Sequence, residues 1–470
     1  MFVPAIPVIA GRHPIRVKIQ ERAHNPGLVM VAAAAVFCPE VASAAGDPPS
    51  AFGVPVDFIL FAVTLIGVGL FHRHTLAVSL IGLATIALYK LVFTGFQTGA
   101  GLAGLGSHFA HEWVTLANLL GLLLGFALLT RHFEESRVPT LLPRFLPDDW
   151  KGGFALLALI FVLSAFLDNI AAALIGGTIA GTVFRRRVHI GYLAAIVAAS
   201  NAGGAGSVLG DTTTTMMWID GVAASAVLPA FIAATAALLV LGIPAALLQH
   251  RHSPIVKDAA SRVHVDWARI AIVLTILAAT VATNIALNAY AADLARKIPA
   301  LGIAVWGAIL LTAGMRRPEW SLLPEAVKGS VFLLALVSAA SLMPVEKLPA
   351  ASWQTAFGLG FISSVFDNIP LTALALKQGG YDWAILAFAV GFGGSMVWFG
   401  SSAGVAISNM YPEAKSVGAW LKHGWFIAVA YIVGFFVMLA LWGWHPGEKR
   451  ASPVAASSAT VSADEQGGPG

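Results

Sequence analysis

The apolar stretch KGGFALLALIFVLSAFLDNIAAALIGGTIAGTVF, residues 151–184, is too long to be an ordinary transmembrane helix. As one helix it would measure about 50 Å at a rise of about 1.5 Å per residue, whereas the hydrocarbon core of a bilayer is only about 30 Å thick. Basic residues lie at both ends, Lys151 and the three arginines 185–187, and the polar pair Asp168 and Asn169 lies in the middle. We therefore predict a re-entrant hairpin, with two short helical arms and a polar tip, that enters and leaves the membrane on one side.

The same design occurs a second time. The sequence FLDNI at residues 166–170 recurs as VFDNI at residues 365–369, inside a second apolar stretch at about 351–378. Each stretch is followed by a glycine-interrupted apolar segment, at residues 190–220 and 383–410. Interrupted segments in corresponding positions of two halves are the best sequence signal of a transporter binding site. We predict two repeats, each with a re-entrant hairpin and an interrupted transmembrane helix.

The composition sets the broad class of protein. Of the residues, 58% are hydrophobic and only 11% are charged, and the mean hydropathy is +0.80. A soluble domain has about 25% charged residues, so lipid must be the partner of most of this surface. The net charge of +4 is spread over many loops and indicates no nucleic-acid partner. The single cysteine excludes a disulfide framework. We predict an all-α, polytopic membrane protein.

The apolar pattern also divides the chain. Residues 46–249 form the first predicted transmembrane repeat, 250–269 a cytoplasmic linker, 270–444 the second repeat and 445–470 a disordered tail. Ordinary spans are expected at about 54–71, 76–93, 114–130, 222–249, 270–288, 300–314, 330–344 and 421–443. Residues 1–45 combine a basic start, a short apolar segment and a small-residue site, which is typical of a cleaved signal peptide. An uncleaved helix at 28–45 is the alternative.

The basic residues predict the orientation of the chain. If the three arginines 185–187 lie in the cytoplasm, most other loop lysines and arginines fall on the same side, as the positive-inside rule requires. The first hairpin then enters from the cytoplasm and the second from outside, so the two repeats are inverted. We expect a multi-pass protein of the bacterial inner membrane with a periplasmic C-terminus.

Three carboxylates within the apolar segments indicate the function. Charged groups inside a membrane are costly and usually functional, and here they are Asp168, Asp211 and Asp367. Neighbouring amide and hydroxyl oxygens suit a small, hard inorganic cation. Burial penalises a charged carboxylate, so the same group binds either a proton or a cation. We expect the two hairpin tips to meet near the membrane midplane and to exchange a cation for protons.

At these residues the sequence resembles the NhaD-type sodium/proton antiporters of the ion-transporter superfamily, which also includes citrate, dicarboxylate and arsenite carriers. The similarity covers roughly residues 54–443 and is most specific in SNAGG at 200–204 and GDTTTTMMWI at 210–219. It implies exchange of sodium or lithium for protons by alternating access, without a cofactor. The residues implied to handle cation and proton are Asp168, Asn169, Asn201, Asp211, Thr213, Thr214, Asp367 and Asn368, supported by Ser164, Ser363, Ser401 and Ser402.

The sequence departs from this family at residues 171–173, three alanines where the family pattern has threonines. The alternative function is therefore cation-coupled symport of citrate or a dicarboxylate, or arsenite export, on the same scaffold. An intramembrane protease is disfavoured, because no histidine lies in a neighbouring span to act as a base. We expect a transporter and no enzyme. The sequence leaves open whether the chain forms a homodimer.

Overall fold

The computed structural model describes residues 49–447, apart from residues 52, 72–73, 257–263, 292–293 and 295–296. The predicted signal peptide at 1–45 and nearly all of the predicted tail at 445–470 lie outside the described residues. The predicted linker at 250–269 lies partly outside them.

Helices make up most of the described chain, as predicted. They are α1 Val56–Leu70, α2 Thr75–Tyr89, α3 Gly101–Glu135, α4 Trp150–Ser164, α5 Asn169–Val183, α6 Ile190–Ala205, α7 Thr212–Ile219, α8 Ala224–Val227, α9 Ala230–His252, α10 Trp267–Tyr290, α11 Ala300–Thr312, α12 Leu323–Ser341, α13 Trp353–Ser363, α14 Asn368–Gln378, α15 Trp383–Gly393, α16 Ser402–Met410, α17 Val417–His423 and α18 Trp425–Leu441. Two strands of two residues each, β1 Ser50–Ala51 and β2 Val54–Pro55, pair antiparallel before α1.

Several of these helices can cross a membrane by length and composition. Within the described residues, five continuous helical stretches qualify: Thr75–Thr94, Gly101–Glu135, Ala224–His252, Trp267–Leu287 and Trp320–Ser341. Helices α17 and α18 qualify together, although they are bent by 59° at the break between them. The chain is therefore an all-α, multi-pass membrane protein. The helix at Gly101–Glu135 is much longer than the predicted span at 114–130, because polar residues near its start do not interrupt it.

The helices pack in two groups. One group consists of α1, α2, α3, α10, α11 and α12, and the other contains both predicted hairpins and both interrupted segments. At the centre of the second group, α6 and α15 pack against each other, and every residue of α15 is buried. Helices buried on all sides have no polar face to display, which explains why α15 is apolar throughout and why α6 has only Ser200 and Asn201 as strongly polar side chains.

Each of the two stretches predicted to form a re-entrant hairpin consists of two short helices, and their re-entry into the membrane stays a prediction. The first consists of α4 and α5 joined by the first tip, residues 165–168, and the second consists of α13 and α14 joined by the second tip, residues 364–367. Their arms of 15 and 11 residues are shorter than the roughly 20 that a spanning helix needs. A capping box between Ser352 and Thr355 starts α13, and the Asp149 carboxylate caps α4.

The two halves make matching contacts. Helix α4 packs on α6 as α13 packs on α15, and the second arm of each hairpin packs against the interrupted segment of the other half, α5 on α16 and α14 on α7. These contacts agree with a repeat. The inverted orientation of the halves in the membrane stays a prediction.

Glycines allow the hairpin tips to lie directly against the interrupted segments. The first break, residues 206–211, separates α6 from α7, and the second break, residues 394–401, separates α15 from α16. A side chain at Gly210 would collide with the Ser164 carbonyl, and one at Gly400 would collide with the Ser364 carbonyl. Each hairpin tip therefore seats on the backbone of the break in its own half.

Candidate functional site

The Asp211 carboxylate lies where the two tips and the first break meet. Its Oδ1 accepts hydrogen bonds from Asn169 Nδ2 at 3.2 Å and from Asn368 Nδ2 at 3.5 Å. It also accepts from the Thr213 backbone N–H at 3.3 Å, which makes Asp211 the N-cap of α7. One oxygen thus connects both hairpins to the first break.

A chain of amides extends this connection to the second break. Asn169 Nδ2 also donates to Asn201 Oδ1 at 3.0 Å, and Asn201 Nδ2 donates to Ser395 Oγ at 2.9 Å. All three residues are buried. Ser395 is absent from the predicted site, although it directly follows the Gly-Gly pair of the second break. Sequence could have indicated it only by its place in that break.

Three buried oxygens at the site have no hydrogen-bond partner within the described part of the chain. They are Asp211 Oδ2, Ser164 Oγ and Thr213 Oγ1. Asp211 is 1% exposed, and Ser164 and Thr213 are fully buried. Buried polar atoms are normally satisfied, so a group of unsatisfied ones needs an explanation. A bound cation would supply it, because carboxylate and hydroxyl oxygens are its ligands.

The other two predicted carboxylates occupy equivalent positions at the hairpin tips. Asp367 caps α14 through Oδ1, which accepts from the Ile369 N–H at 3.0 Å, while its Oδ2 accepts from Ser402 Oγ at 3.3 Å. Asp168 precedes α5 in the same way but makes no side-chain capping bond. Its half-buried side chain instead lines a cavity.

Several predicted residues hold the backbone of the site and offer no free oxygen. Thr214 Oγ1 donates to the carbonyls of Ser207 and Asp211, at 2.6 and 2.9 Å. Ser363 Oγ donates to the Val390 carbonyl at 2.7 Å, and Ser401 Oγ caps α16 by accepting from the Gly404 N–H. These side chains fix the two breaks, so they position the ligand oxygens.

The two hairpin tips and the first break meet at Asp211, and we call this place the junction. A cavity of about 480 Å³ reaches it. Asp168, Asp211 and Ser402 line its inner end, and Arg131, Glu134 and Glu325 lie around its other end. Its walls are mainly apolar side chains of α3, α5 and α12. The cavity therefore passes between the two helix groups and gives a small hydrophilic solute a route to the carboxylates.

The donors at the junction are separate oxygen-bearing side chains. Within the described residues, no three or more His, Cys, Asp or Glu side chains are grouped to hold a metal ion. The junction instead offers isolated carboxylates, amides and hydroxyls. Such a mixed shell of hard oxygens binds small cations with modest affinity, which allows release as well as binding.

Comparisons with known proteins find similarity to sodium/proton antiporters. No family model matches the chain. It is 24% identical to sodium/proton antiporter 1 of Arabidopsis thaliana over 377 residues, 71% of this chain and 61% of the relative, so it spans less than two thirds of that protein. It is 27% identical to sodium/proton antiporter 2 of the same plant, over 70% of this chain and 83% of the relative.

A bacterial protein shows a similar level of identity. The Na(+)/H(+) antiporter NhaD of Vibrio parahaemolyticus is 26% identical over 335 residues, 60% of this chain and 78% of the relative. All three relatives are named as transporters, and none as an enzyme. The predicted resemblance to NhaD-type sodium/proton antiporters is confirmed at the level of similarity: over 60–71% of its length, the chain is 24–27% identical to three proteins named as sodium/proton antiporters, one of them an NhaD.

Proposed function

We propose that this protein exchanges sodium or lithium for protons across the bacterial inner membrane. The observation that carries the proposal is the Asp211 carboxylate, which is buried at the meeting point of both hairpins and has one oxygen without a hydrogen bond to any described residue. A charge in that position is stable only when a cation or a proton neutralises it. The names of the three relatives agree with this function.

Exchange follows from competition for the same carboxylates. A sodium ion that enters the cavity meets Asp168 first and then Asp211, and its charge stabilises the ionised form of both. Without the ion, burial favours the protonated form. Because a site holds either a cation or protons, the passage of one in one direction returns the other in the opposite direction, provided that the site opens to alternate sides.

The cavity indicates which side is open. Its outer end lies at the end of α3 and the start of α12, near Arg131 and Glu325, and the predicted orientation puts these helix ends in the cytoplasm. The described conformation is then open to the cytoplasm, and the C-terminus lies in the periplasm. The ion reaches the site from the same side that the first hairpin enters.

An organic anion fits this site less well. The amides of Asn169 and Asn368, which could donate to a carboxylate substrate, already donate to Asp211. The arginine that lines the cavity, Arg131, lies within 3.2 Å of both Glu134 and Glu135 and is neutralised by them. A citrate ion at the junction would face Asp168, Asp211 and Asp367 without a paired positive charge.

Substitution of Asp211 tests the proposal. In everted membrane vesicles, Asp211→Ser removes the central charge and should raise the apparent KM for sodium by at least about tenfold, equivalent to roughly 1.4 kcal/mol. Asp211→Glu keeps the charge and should retain part of the exchange. The same serine substitution at the exposed Asp148 is the control. Unchanged sodium/proton exchange in Asp211→Ser would remove Asp211 from the site, and impaired citrate uptake would favour the anion carrier.

A further inference from the structure

Gly391, in α15, lies directly against the free oxygen of Asp211. A Cβ atom built on Gly391 would lie 2.9 Å from Asp211 Oδ2 and would meet no other heavy atom within 4 Å, apart from its own helix backbone and its chain neighbours. A distance below 3.0 Å forces one of the two groups to move. The packing around α15 therefore tolerates a side chain at position 391 except where that side chain would touch the carboxylate.

The choice of glycine is unfavourable for the helix itself. Glycine inside a helix costs roughly 1 kcal/mol relative to alanine, and Gly391 lies in the last turn of α15, which ends at Gly393. Its φ angle is not positive, so the backbone does not require glycine. The presence of glycine at position 391 is thus explained by the space that it leaves for the Asp211 carboxylate.

The position of Gly391 in the second half corresponds to that of Asn201 in the first half. Gly391 stands two residues before the Gly-Gly pair of the second half, where Asn201 stands in the first half. Asn201 fills its position with an amide that joins the hydrogen-bond chain of the site. In the second half, Gly391 has no side chain, and the Asp211 carboxylate of the first half occupies that space. A single carboxylate therefore contacts both halves.

We propose that Gly391 determines which cation the site accepts, by fixing how far the free oxygen of Asp211 can lie from the two hairpin tips. This inference rests on the proposed cation exchange. An alanine at position 391 pushes Oδ2 away from α15, while Oδ1 stays held by Asn169 and Asn368. The space between the carboxylate and the tips becomes smaller, and cavity size discriminates between cations of equal charge. Sodium, the larger ion, is affected more than lithium.

The test is a comparison of wild type, Gly391→Ala and Gly358→Ala in proteoliposomes with a preset proton gradient. Gly358 lies in α13, and a Cβ there would meet nothing within 4 Å, so its alanine variant is the matched control. We expect Gly391→Ala to raise the apparent KM for sodium about tenfold and that for lithium by less than about threefold, with the maximal rate preserved. An unchanged ratio of the two KM values would overturn the inference.

Two further results keep the test decisive. If Gly391→Ala does not accumulate in the membrane, Asp211→Glu carries the test, because the longer side chain crowds Gly391 from the opposite side and should also favour lithium. An equal loss for both ions in Asp211→Glu would then overturn the inference. Absence of any sodium or lithium exchange in the wild type would instead refute the proposed function, so the two failures are distinguishable.

Discussion

At the scale of single residues, capping carboxylates divide their two oxygens between the fold and the site. Asp211 Oδ1 caps α7 and accepts hydrogen bonds from the side chains of Asn169 and Asn368. Its Oδ2 makes no hydrogen bond within the described residues. Asp367 caps α14 with Oδ1 and accepts from Ser402 with Oδ2. N-capping is the ordinary reason for an aspartate before a helix. In Asp211 the cap also holds Oδ1 rigid at the junction, while Oδ2 stays without a hydrogen bond to the described residues and faces Gly391.

Adjacent threonines allow structural and ligand roles to be separated. Thr214→Val should lower stability by about 1 kcal/mol, because the Ser207 carbonyl loses the hydroxyl donor that lies 2.6 Å from it. Thr213→Val should leave stability nearly unchanged, since its hydroxyl makes no such bond, but should raise the apparent KM for sodium severalfold. Thermal unfolding of the purified variants and sodium titration of exchange measure the two effects. If Thr213→Val lowered the stability and left the apparent KM for sodium unchanged, Thr213 Oγ1 would not be a ligand.

The sequence predicted the carboxylates and asparagines of the site but not the use of its hydroxyls. Asp168, Asp211 and Asp367 stand out because a charge in an apolar segment is rare. A serine or threonine carries no such signal, and whether its hydroxyl faces the site or a backbone carbonyl depends on packing in three dimensions. Thr214, which was predicted for the site, donates to backbone carbonyls, and Ser395, which was not predicted, accepts from Asn201.

At the scale of helices, the ends of α6 and α15 are fixed by capping groups, and one of these caps titrates. His189 Nδ1 accepts from the Gly191 N–H at 3.1 Å at the start of α6. Its ring contacts those of His252 and His423, with centroids 5.4 and 5.0 Å away. Burial lowers the pKa of His189 below its ordinary value, and the nearby charges of His423 and His252 lower it further.

This cap predicts a pH-dependent stability. Because the pKa of folded His189 is lower than that of the unfolded chain, the contribution of the cap is complete above the ordinary histidine pKa of about 6.5 and is lost as the pH falls through the lowered value. His189→Asn keeps a capping oxygen without a titrating ring. Between pH 8 and pH 5, the unfolding temperature of wild type should fall on the order of 1–2 °C more than that of the variant. Equal falls would mean that the cluster of three histidines does not control this end of α6.

Helix positions were predictable from the sequence, whereas several helix ends were not. The hairpins and breaks have strong signals, a polar pair within an apolar run and a glycine pair that interrupts a span. The start of α3 at Gly101 is earlier than the predicted 114, because polar residues stay in the helix: His108, for example, is buried and lies 2.9 Å from Ser341 Oγ. Tertiary contacts decide such boundaries, and apolar periodicity does not record them.

At the scale of the whole molecule, the two ends of the junction are unequal. The cavity connects the junction to the ends of α3 and α12 near Glu134 and Glu325. In the second hairpin, Lys377 Nζ donates to the carbonyls of Ser341 and Met343, both at 2.6 Å, and ties α14 to the end of α12. The cavity is therefore on one side of the junction, and the second hairpin is docked on the other helix group, an asymmetry that the proposed alternating access requires of any single state.

The most direct test of the account is ion movement in proteoliposomes that contain the purified protein and a preset proton gradient. Addition of sodium or lithium should collapse the gradient, whereas potassium, citrate and arsenite should not. Asp168→Asn and Asp367→Asn keep the size of each tip side chain but remove its charge, and each should reduce sodium-dependent proton movement about a hundredfold, roughly 2.7 kcal/mol. Collapse of the gradient by citrate or arsenite alone, or full sodium exchange in both variants, would contradict the account.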